Sequence, residues 1–364
     1  MRVPLFRSLA CSLLVSLSAF ALTPAEQVTA IRNQVAADDR ITYFDVKASA
    51  GPAPKSVVLV GRVLTASQKQ SLMAAFASDA ASVVDKVEVF PFADAGDKPY
   101  AIAKMPLLNI RKDPRHSGEL ITQCLMGQPL KLIKREANWW LVQLEDDNYV
   151  GWAEEKAISR TTEAGYRQWR SAKKVMVTQP STDLLASPRG DAAFVAKVYL
   201  TTSLPVIGQK GSFTQVRLPG GESAYALDGA TKPAPTKGDP RAVPQIIAAA
   251  KRLMGAPYLW GGTSPVMVDC SGLNQQVYKL YGYLLPRDAD QQQDALKVVL
   301  TRNDLKPGDL VFFPGHTGMY IGSGDFIHSS TSRGGVAINS FDPKRSNYDA
   351  WFITNYKGAG RVIN

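Results

Sequence analysis

The sequence predicts an α+β protein made of several domains, and three observations lead to this fold class. The chain has 364 residues, more than one compact hydrophobic core usually serves. Residues 99–228 alternate short strand-like runs with turn-forming residues, which indicates small antiparallel barrels. Residues 242–364 begin with helical apolar spacing and continue as strands, which indicates a separate α+β domain.

Composition and charge narrow the class of protein and its partners. Hydrophobic residues make up 45% of the chain and charged residues 20%, as in ordinary globular proteins. The formal net charge of +10 fits an anionic partner such as a bacterial wall, whereas the scattered basic residues disfavour nucleic acid. Three cysteines exclude a disulfide scaffold, and no apolar stretch reaches the 18 residues that a membrane span needs.

Residues 1–21 have the features of a cleaved signal peptide. Arg2 and Arg7 precede a short apolar core, and Ala19 to Ala21 fit the small-x-small cleavage pattern. Cys11 lies before most of that core, which is the wrong position for a lipoprotein anchor. We therefore expect an exported protein, periplasmic or secreted.

Residues 23–98 are predicted to form a small α/β domain. The predicted elements are a helix with Val28, Ile31 and Val35 on one face, a strand at 57–63, a helix at 68–77 and a strand at 83–89. The turn and strand at 60–63, with the helix and valine-rich strand that follow, resemble a BON-type periplasmic domain. The alternative interpretation is an adaptor domain without chemistry of its own.

Two stretches resemble the bacterial SH3-like domain. In residues 99–160 the matching marks are Asn109-Ile110-Arg111, Gly127, Trp139-Trp140 and Tyr149 to Trp152, and residues 174–228 form a weaker copy. Cys124 lies in an apolar strand and is predicted to be core, whereas His116 follows a turn and is predicted to be exposed. Residues 229–241 are rich in Pro, Ala, Lys and Gly, which predicts a linker.

The residues that can carry chemistry lie in the last domain, residues 242–364. Cys270 precedes a helical apolar pattern, so it is predicted at a helix N-terminus, where the dipole favours a thiolate. His316 and His328 flank a turn between two strand-like runs, and a hairpin would place them side by side. The spacing alone leaves three alternatives open: a thiol hydrolase, a zinc site lacking a fourth ligand, or simple packing.

The motifs around these residues resemble the NlpC family of bacterial cell-wall cysteine peptidases, which are papain-like. The matching motifs occur in the family's order, and they are Pro257 to Gly262, Asp269-Cys270-Ser271-Gly272, Pro307 to Phe313, His316 to Gly322 and Phe326-Ile327-His328. The resemblance implies a papain-like catalytic domain. Upstream SH3-like domains are similar to those of γ-D-glutamyl-L-diamino acid endopeptidases.

That resemblance also implies a role for each site residue. Cys270 would be the nucleophile, His316 the base and His328 the orienting residue. Tyr258, Asp269 and Ser271 would contact the substrate. Glu119 and Tyr149, from the first SH3-like domain, are the best matches to a pocket for a free amine.

The resemblance implies hydrolysis of the γ-D-glutamyl–diamino acid bond in peptidoglycan stem peptides or muropeptides with a free N-terminal L-alanine. It implies no cofactor and no metal, and it leaves the oligomeric state open. Another thiol acyl chemistry on the wall, such as an amidase or acyltransferase, and a non-catalytic wall-binding protein are the alternatives. Related sequences often have Ser where Ala289 stands, which weakens the specificity prediction, and Arg287 and Gln292 are interpreted as structural.

Overall fold

The computed structural model describes residues 22–77, 80, 82–299 and 301–363. The predicted signal peptide, residues 1–21, lies outside the described residues. Contacts divide the chain into two compact units. The chain up to Ala37 forms the first unit together with Phe44–Glu88, and the second consists of Asp38–Tyr43 and Val89–Asn364.

The first unit contains two helices and a three-stranded sheet in the order β1-β2-β3. In chain order its elements are α1 (Pro24–Val35), β1 (Phe44–Ala50), β2 (Ser56–Val63), α2 (Ala66–Ala77) and β3 (Ser82–Val89). Thr23 and Glu26 begin α1 with a capping box, in which each side chain accepts a backbone N–H of the other residue. The predicted helices and strands are confirmed, and the BON-type resemblance stays a prediction.

Barrel 1 follows as a seven-stranded antiparallel sheet in the order β10-β4-β7-β8-β9-β5-β6. Its strands are β4 (Tyr100–Ala103), β5 (Leu107–Arg111), β6 (Leu120–Leu125), β7 (Pro129–Glu136), β8 (Trp139–Leu144), β9 (Val150–Glu154) and β10 (Ile158–Thr161). Trp140 and Cys124 are fully buried in its core, as predicted for Cys124. His116 is exposed, also as predicted.

Barrel 2 repeats this topology strand for strand, in the order β13-β12-β16-β15-β14-β11-β17. Its elements are a connecting helix α3 (Glu163–Ser171) and then β11 (Lys174–Val177), β12 (Ser181–Leu185), β13 (Phe194–Tyr199), β14 (Ser203–Lys210), β15 (Phe213–Arg217), β16 (Ser223–Leu227) and β17 (Thr231–Pro233). The prediction of a linker at 229–241 is wrong at its start. Although 231–233 has linker-like composition, it pairs with β11 and completes the barrel.

The last domain packs helices against a six-stranded sheet in the order β18-β23-β19-β20-β21-β22. Its elements are α4 (Val243–Lys251), α5 (Cys270–Lys279), α6 (Ala289–Ala295), β18 (Lys297–Val299), β19 (Leu310–Phe313), β20 (His316–Gly322), β21 (Asp325–Ser330), β22 (Gly335–Ser340), α7 (Ala350–Thr354) and β23 (Gly358–Arg361). The core includes Leu273 and Val277 of α5 with Met319 and Ile327 of the sheet. Among the described residues, no helix is long and apolar enough to cross a membrane.

Barrel 1 is joined to this last domain by buried polar contacts. The Gln123 amide oxygen and carbonyl oxygen both accept hydrogen bonds from Thr263, each at 3.0 Å. Lys279 of α5 forms a salt bridge with Asp146 of barrel 1 at 2.6 Å. A buried polar group without such a partner would be destabilised by its desolvation free energy. These contacts therefore fix the position of barrel 1 beside α5.

Candidate active site

Cys270 is the first residue of α5, at the helix N-terminus that the sequence predicts. The preceding residue, Asp269, caps the helix by accepting the backbone N–H of Gly272 at 2.7 Å. Gly272 is required here because a Cβ would lie 2.2 Å from the carbonyl oxygen of Gly262. The thiol is buried, and its sulfur accepts the backbone N–H groups of Thr317 and Ser271. The bond from Thr317 places the sulfur beside the start of β20, where His316 lies.

The two histidines lie on the predicted hairpin, since β20 and β21 pair in antiparallel register. His316 begins β20, and its Nε2 lies 2.7 Å from Nδ1 of the fully buried His328. Gly318 allows this close approach, because a Cβ there would lie 3.1 Å from the Cβ of His328 and 3.0 Å from the ring of Phe326. The predicted juxtaposition of the two imidazoles is confirmed.

Asn339 of β22 sets the direction of hydrogen bonding through the pair. Its amide nitrogen donates to the carbonyl oxygen of Asn347 at 2.8 Å, so its Oδ1 faces Nε2 of His328 at 3.0 Å. That oxygen can only accept, so Nε2 of His328 carries the proton and its Nδ1 accepts from Nε2 of His316. Nδ1 of His316 is then the unprotonated nitrogen of that ring, and it is able to accept a proton.

Burial keeps Cys270, His316 and His328 neutral. Burial and then the negative charge of Asp269 raise the pKa of Cys270 to about 12. Burial and then His328 lower the pKa of His316 to about 3, and burial lowers that of His328 to about 4. The burial of Cys270 thus opposes the thiolate that the helix N-terminus favours. The dipole acts, but desolvation and the adjacent carboxylate outweigh it.

Tyr258 lies in the loop that runs alongside the thiol. Its backbone N–H donates to the carbonyl oxygen of Gly334. Tyr258 also forms an isolated β-bridge with Val268, which lies two residues before Cys270 in the chain. Burial, Cys270 and Asp269 raise the pKa of its half-buried hydroxyl, in that order. The phenol thus stays protonated and can donate to an oxyanion.

Arg287 organises the carboxylate of Asp269, which precedes Cys270. Its guanidinium is almost completely buried, and its two terminal nitrogens both donate to Asp269. It also donates to the hydroxyls of Ser271 at 2.9 Å and of Thr122, from barrel 1, at 2.8 Å. A bidentate buried pair of this kind fixes geometry as well as charge. Arg287 has a structural role, as predicted, and the residues that it holds in place, Asp269 and Ser271, flank Cys270.

Gln292 of α6 supports the same region from behind. Its amide nitrogen donates to the carbonyl oxygens of Ser271 at 3.1 Å and Pro286 at 2.9 Å. Its oxygen accepts from the amide of Asn274 at 3.2 Å. These bonds tie α6 to the first turn of α5, in agreement with the structural interpretation.

Both residues predicted from barrel 1 reach the last domain. The exposed carboxylate of Glu119 accepts the indole N–H of Trp260 at 2.9 Å. The buried Tyr149 donates its hydroxyl proton to Oδ2 of Asp288 at 2.9 Å. Sequence reasoning missed the partners Trp260 and Asp288, which lie 141 and 139 residues along the chain from them.

The geometry bears on the zinc alternative. In the part of the chain that the structure describes, no group of three or more His, Cys, Asp or Glu side chains is arranged to hold a metal. The ring nitrogens of His316 and His328 bond to each other instead of converging on a common point. A row of hydrogen-bonded side chains behind a thiol has the chemistry of a nucleophile, a base and an orienting group.

Comparisons with known proteins agree with this geometry. Residues 255–354 match the NlpC/P60 family, and residues 110–158 match the bacterial dipeptidyl-peptidase Sh3 domain. The chain is 28% identical to a gamma-D-glutamyl-L-lysine dipeptidyl-peptidase of Bacillus cereus, over 68% of this chain and 77% of that protein. It is 27% identical to dipeptidyl-peptidase 6 of Lysinibacillus sphaericus, over 72% and 99%. A solved NlpC/P60 family structure from Bacillus cereus covers 73% of this chain and all of its own, with a TM-score of 0.63 and 25% identity.

Proposed function

We propose, on the premise that residues 255–354 form an NlpC/P60 domain, that the chain is a cysteine peptidase acting on peptidoglycan. The bond hydrolysed is the one between γ-D-glutamate and the diamino acid of a stem peptide or muropeptide. The relatives of Bacillus cereus and Lysinibacillus sphaericus, which align with 68% and 72% of this chain, support this substrate class. The preferred substrate has a free N-terminal L-alanine.

The observation that carries the proposal is the hydrogen-bonded row behind Cys270. Asn339, His328 and His316 are linked by contacts of 3.0 and 2.7 Å, and this row leaves Nδ1 of His316 unprotonated and able to serve as the base for Cys270. A non-catalytic wall-binding protein would have no use for a buried thiol with a directed base.

In the first half of the reaction Cys270 acts as the nucleophile. As Sγ forms a bond to the γ-glutamyl carbonyl carbon, Nδ1 of His316 takes the thiol proton. The neutral resting state makes attack and proton transfer a concerted process, so the imidazolium exists only while the tetrahedral intermediate balances its charge. Nδ1 of His328 accepts the bond from His316 throughout and stabilises that positive charge.

The oxyanion of the intermediate is stabilised by donors at the start of α5. The backbone N–H of Cys270 lies in the first turn, where the helix supplies no acceptor for it. The hydroxyl of Tyr258 is the second donor. Collapse of the intermediate breaks the C–N bond, and His316 returns its proton to the leaving diamino-acid amine. Water then hydrolyses the thioester, with His316 again as base, and regenerates the thiol.

The free amine is bound by residues of barrel 1 and by residues at the start of α5, next to Cys270. Glu119, Tyr149 and Asp269 offer oxygens to an ammonium, and each charge-assisted hydrogen bond contributes about 1.5–3 kcal/mol. Ser271, whose hydroxyl lies 3.2 Å from Asp269, assists from the same turn. Acetylation of the amine removes its charge and adds bulk against barrel 1, so capped peptides are poor substrates.

Export through the predicted signal peptide at residues 1–21 would bring the enzyme to its substrate. The formal net charge of +10 is attractive to an anionic wall. Action outside the cytoplasm, in the periplasm or after secretion, is part of the proposal.

The test compares kcat/KM on L-Ala-γ-D-Glu-diamino acid peptides with free and with N-acetylated alanine. We expect the free peptide to be preferred by about a hundredfold or more, because every 1.4 kcal/mol is tenfold in rate. Products are identified by mass spectrometry, which locates the cleaved bond. Equal values for the two peptides would leave a stem-peptide hydrolase without an amine pocket.

The two cysteines provide the matched control. Cys270→Ala should abolish cleavage, whereas Cys124→Ala alters a buried barrel thiol and should leave turnover intact. Iodoacetamide should inactivate the wild type and EDTA should not. Turnover near the wild-type level in the Cys270→Ala protein would exclude thiol catalysis.

A further inference from the structure

A six-residue segment, Asp38–Tyr43, belongs to the second unit although the chain on both sides of it belongs to the first. We call this segment the strap. Its backbone is held on barrel 1, because the carbonyl oxygen of Arg40 accepts the N–H of Val150 at 2.6 Å and that of Ile41 accepts the amide of Gln143 at 2.9 Å. The strap therefore runs beside β9, whose first residue follows Tyr149.

The strap also reaches α6 of the peptidase domain. Nη1 of Arg40 donates to Oδ2 of Asp288 at 2.8 Å, and its two terminal nitrogens donate to the two oxygens of Asp290 at 3.0 and 2.7 Å. Asp38 pairs with the same guanidinium and accepts from the amide of Gln291 at 2.7 Å. One arginine thus bridges barrel 1 and the N-terminus of α6, with its side chain 36% exposed.

Oδ2 of Asp288 is shared between Arg40 and Tyr149. It accepts the guanidinium of the former and the hydroxyl of the latter, at 2.8 and 2.9 Å. While Tyr149 donates its proton there, the lone pairs of its oxygen remain to accept from another donor. A substrate ammonium has only donors to offer, so this orientation of the hydroxyl is the one that suits a free amine.

Asp288 can hold that orientation only while it is ionised. Burial raises its pKa, and the groups that face it are Arg287, Tyr149, Arg40 and Asp290, of which Asp290 also raises the pKa and the other three lower it. A protonated Asp288 would compete as a donor and turn the hydroxyl proton of Tyr149 toward the substrate. The positive charge of Arg40 opposes this outcome.

We propose that Arg40 is a positioning residue for recognition of the free amine. It acts through Asp288 and Tyr149 and does not touch the substrate. The strap thereby makes a segment outside the SH3-like and peptidase domains part of the specificity of the site. The inference rests on the proposed function, because it presumes a substrate with a free amine.

The experiment measures kcat and KM for the free and the N-acetylated tripeptide with full-length variants. Arg40→Ala should raise KM for the free peptide about tenfold or more, as expected for one lost charge-assisted contact, with a smaller change in kcat. The acetylated peptide makes no ammonium contact, so its kinetics should stay unchanged and the preference for the free peptide should fall. Arg40→Lys keeps the charge and should recover part of the preference.

The matched control is Arg189→Ala, which removes an arginine that also donates twice to an aspartate, Asp191, on the exposed surface of barrel 2. It should leave both substrates unaffected. Arg40→Gln removes the charge but keeps a polar side chain, and it should lower the preference in the same direction, which keeps the test decisive if Arg40→Ala folds poorly.

The outcomes are distinguishable from those of the proposed function. If the wild type prefers the free peptide and Arg40→Ala and Arg40→Gln retain that preference within twofold, the role of Arg40 is overturned and the peptidase function stands. If the wild type shows no preference, the amine pocket is overturned and the role of Arg40 with it. A preference that falls in Arg40→Ala and in Arg40→Gln and partly returns in Arg40→Lys supports the inference.

Discussion

At the scale of single residues, one amide fixes the direction in which protons move. Asn339 presents an oxygen to His328 because its nitrogen is already used by the carbonyl of Asn347. Without that constraint the imidazole pair could adopt the tautomer in which Nδ1 of His316 carries the proton. That tautomer cannot act as a base toward Cys270.

We therefore predict that Asn339→Ala lowers kcat about tenfold or more, with KM nearly unchanged, because the productive tautomer is no longer enforced. Asn339→Asp should place a carboxylate against His328 and raise its pKa. The acidic limb of the kcat profile should then move to higher pH. Rates measured between pH 4 and 8 check both effects.

Asn355→Ala serves as the control, since it removes another amide that donates to a backbone carbonyl, that of Trp351. Its pH profile should match the wild type. A superimposable profile for Asn339→Asp would show that the amide does not govern the histidine pair.

The nucleophile and both histidines could be predicted because their spacing relative to a helix start and a turn is visible in the sequence. Asn339 could not, because it enters from β22, and only the register of β21 against β22 brings it to His328. The neutral state of the thiol was also beyond sequence reasoning. It depends on how deeply Cys270 is buried, which no local pattern records.

At the scale of secondary-structure elements, the hairpin β20–β21 is held close by one residue without a side chain. A Cβ on Gly318 would lie 3.0 to 3.1 Å from atoms of Phe326, Ile327 and His328, which are buried and cannot move freely. The spacing of the two strands, and with it the contact between the imidazoles, depends on this position.

Gly318→Ala should therefore destabilise the protein by about 1–3 kcal/mol, the usual cost of overpacking a core. It should also lower kcat, because β21 must move away from β20. Gly190→Ala is the matched control, since its Cβ would meet nothing within 4 Å. Urea unfolding and turnover measured on both variants check the prediction. Equal stability of the two variants would contradict it.

Most elements of the two barrels were predictable from alternating strands and turns, but their ends were not. The sequence of residues 231–233 predicts a linker, because Lys and Pro are uncommon in strands. In the structure this segment forms the edge strand of barrel 2 that pairs with β11. Proline is tolerated there because an edge strand needs hydrogen-bond donors on one side only. The strand order itself became visible only in three dimensions.

At the scale of the whole molecule, two neutral histidines, the half-buried His316 and the fully buried His328, couple folding to pH. The folded-state pKa values of His316 and His328 are lowered to about 3 and about 4, against about 6.5 in an unfolded chain. Below that value the unfolded chain binds protons that the folded protein excludes. Acidification must therefore destabilise the fold, and above pH 6.5 these groups have no such effect.

We predict that the free energy of unfolding falls by up to about 1.4 kcal/mol per pH unit for each histidine as the pH drops from 6.5 to 5. Denaturant unfolding of the second unit across this interval checks the slope. His328→Gln should remove up to half of the slope of the free energy of unfolding against pH. His116→Gln changes an exposed side chain and should leave that slope unchanged. A flat dependence in the wild type would contradict the prediction.

The division into domains was accessible from composition, but their mutual dependence was not. The contacts that join barrel 1 to the peptidase pair residues far apart in the chain, as between Gln123 and Thr263 or Thr122 and Arg287. Each partner taken alone reads as an ordinary polar residue of a β-rich or helical segment. Only the folded chain shows that the partners are buried together.

The identical strand order of the two barrels has a consequence for the history of the molecule. Two adjacent modules with the same connectivity are what the doubling of an ancestral gene segment would leave behind. One descendant has become inseparable from the catalytic machinery, since its Thr122 and Tyr149 are committed to partners beside the nucleophile. Evolution would then tolerate little change on that face of the first copy. The second copy is bound by packing instead, because Met176 and Leu200 enter the core of the last domain and the buried Thr201 donates to Gln276 of α5.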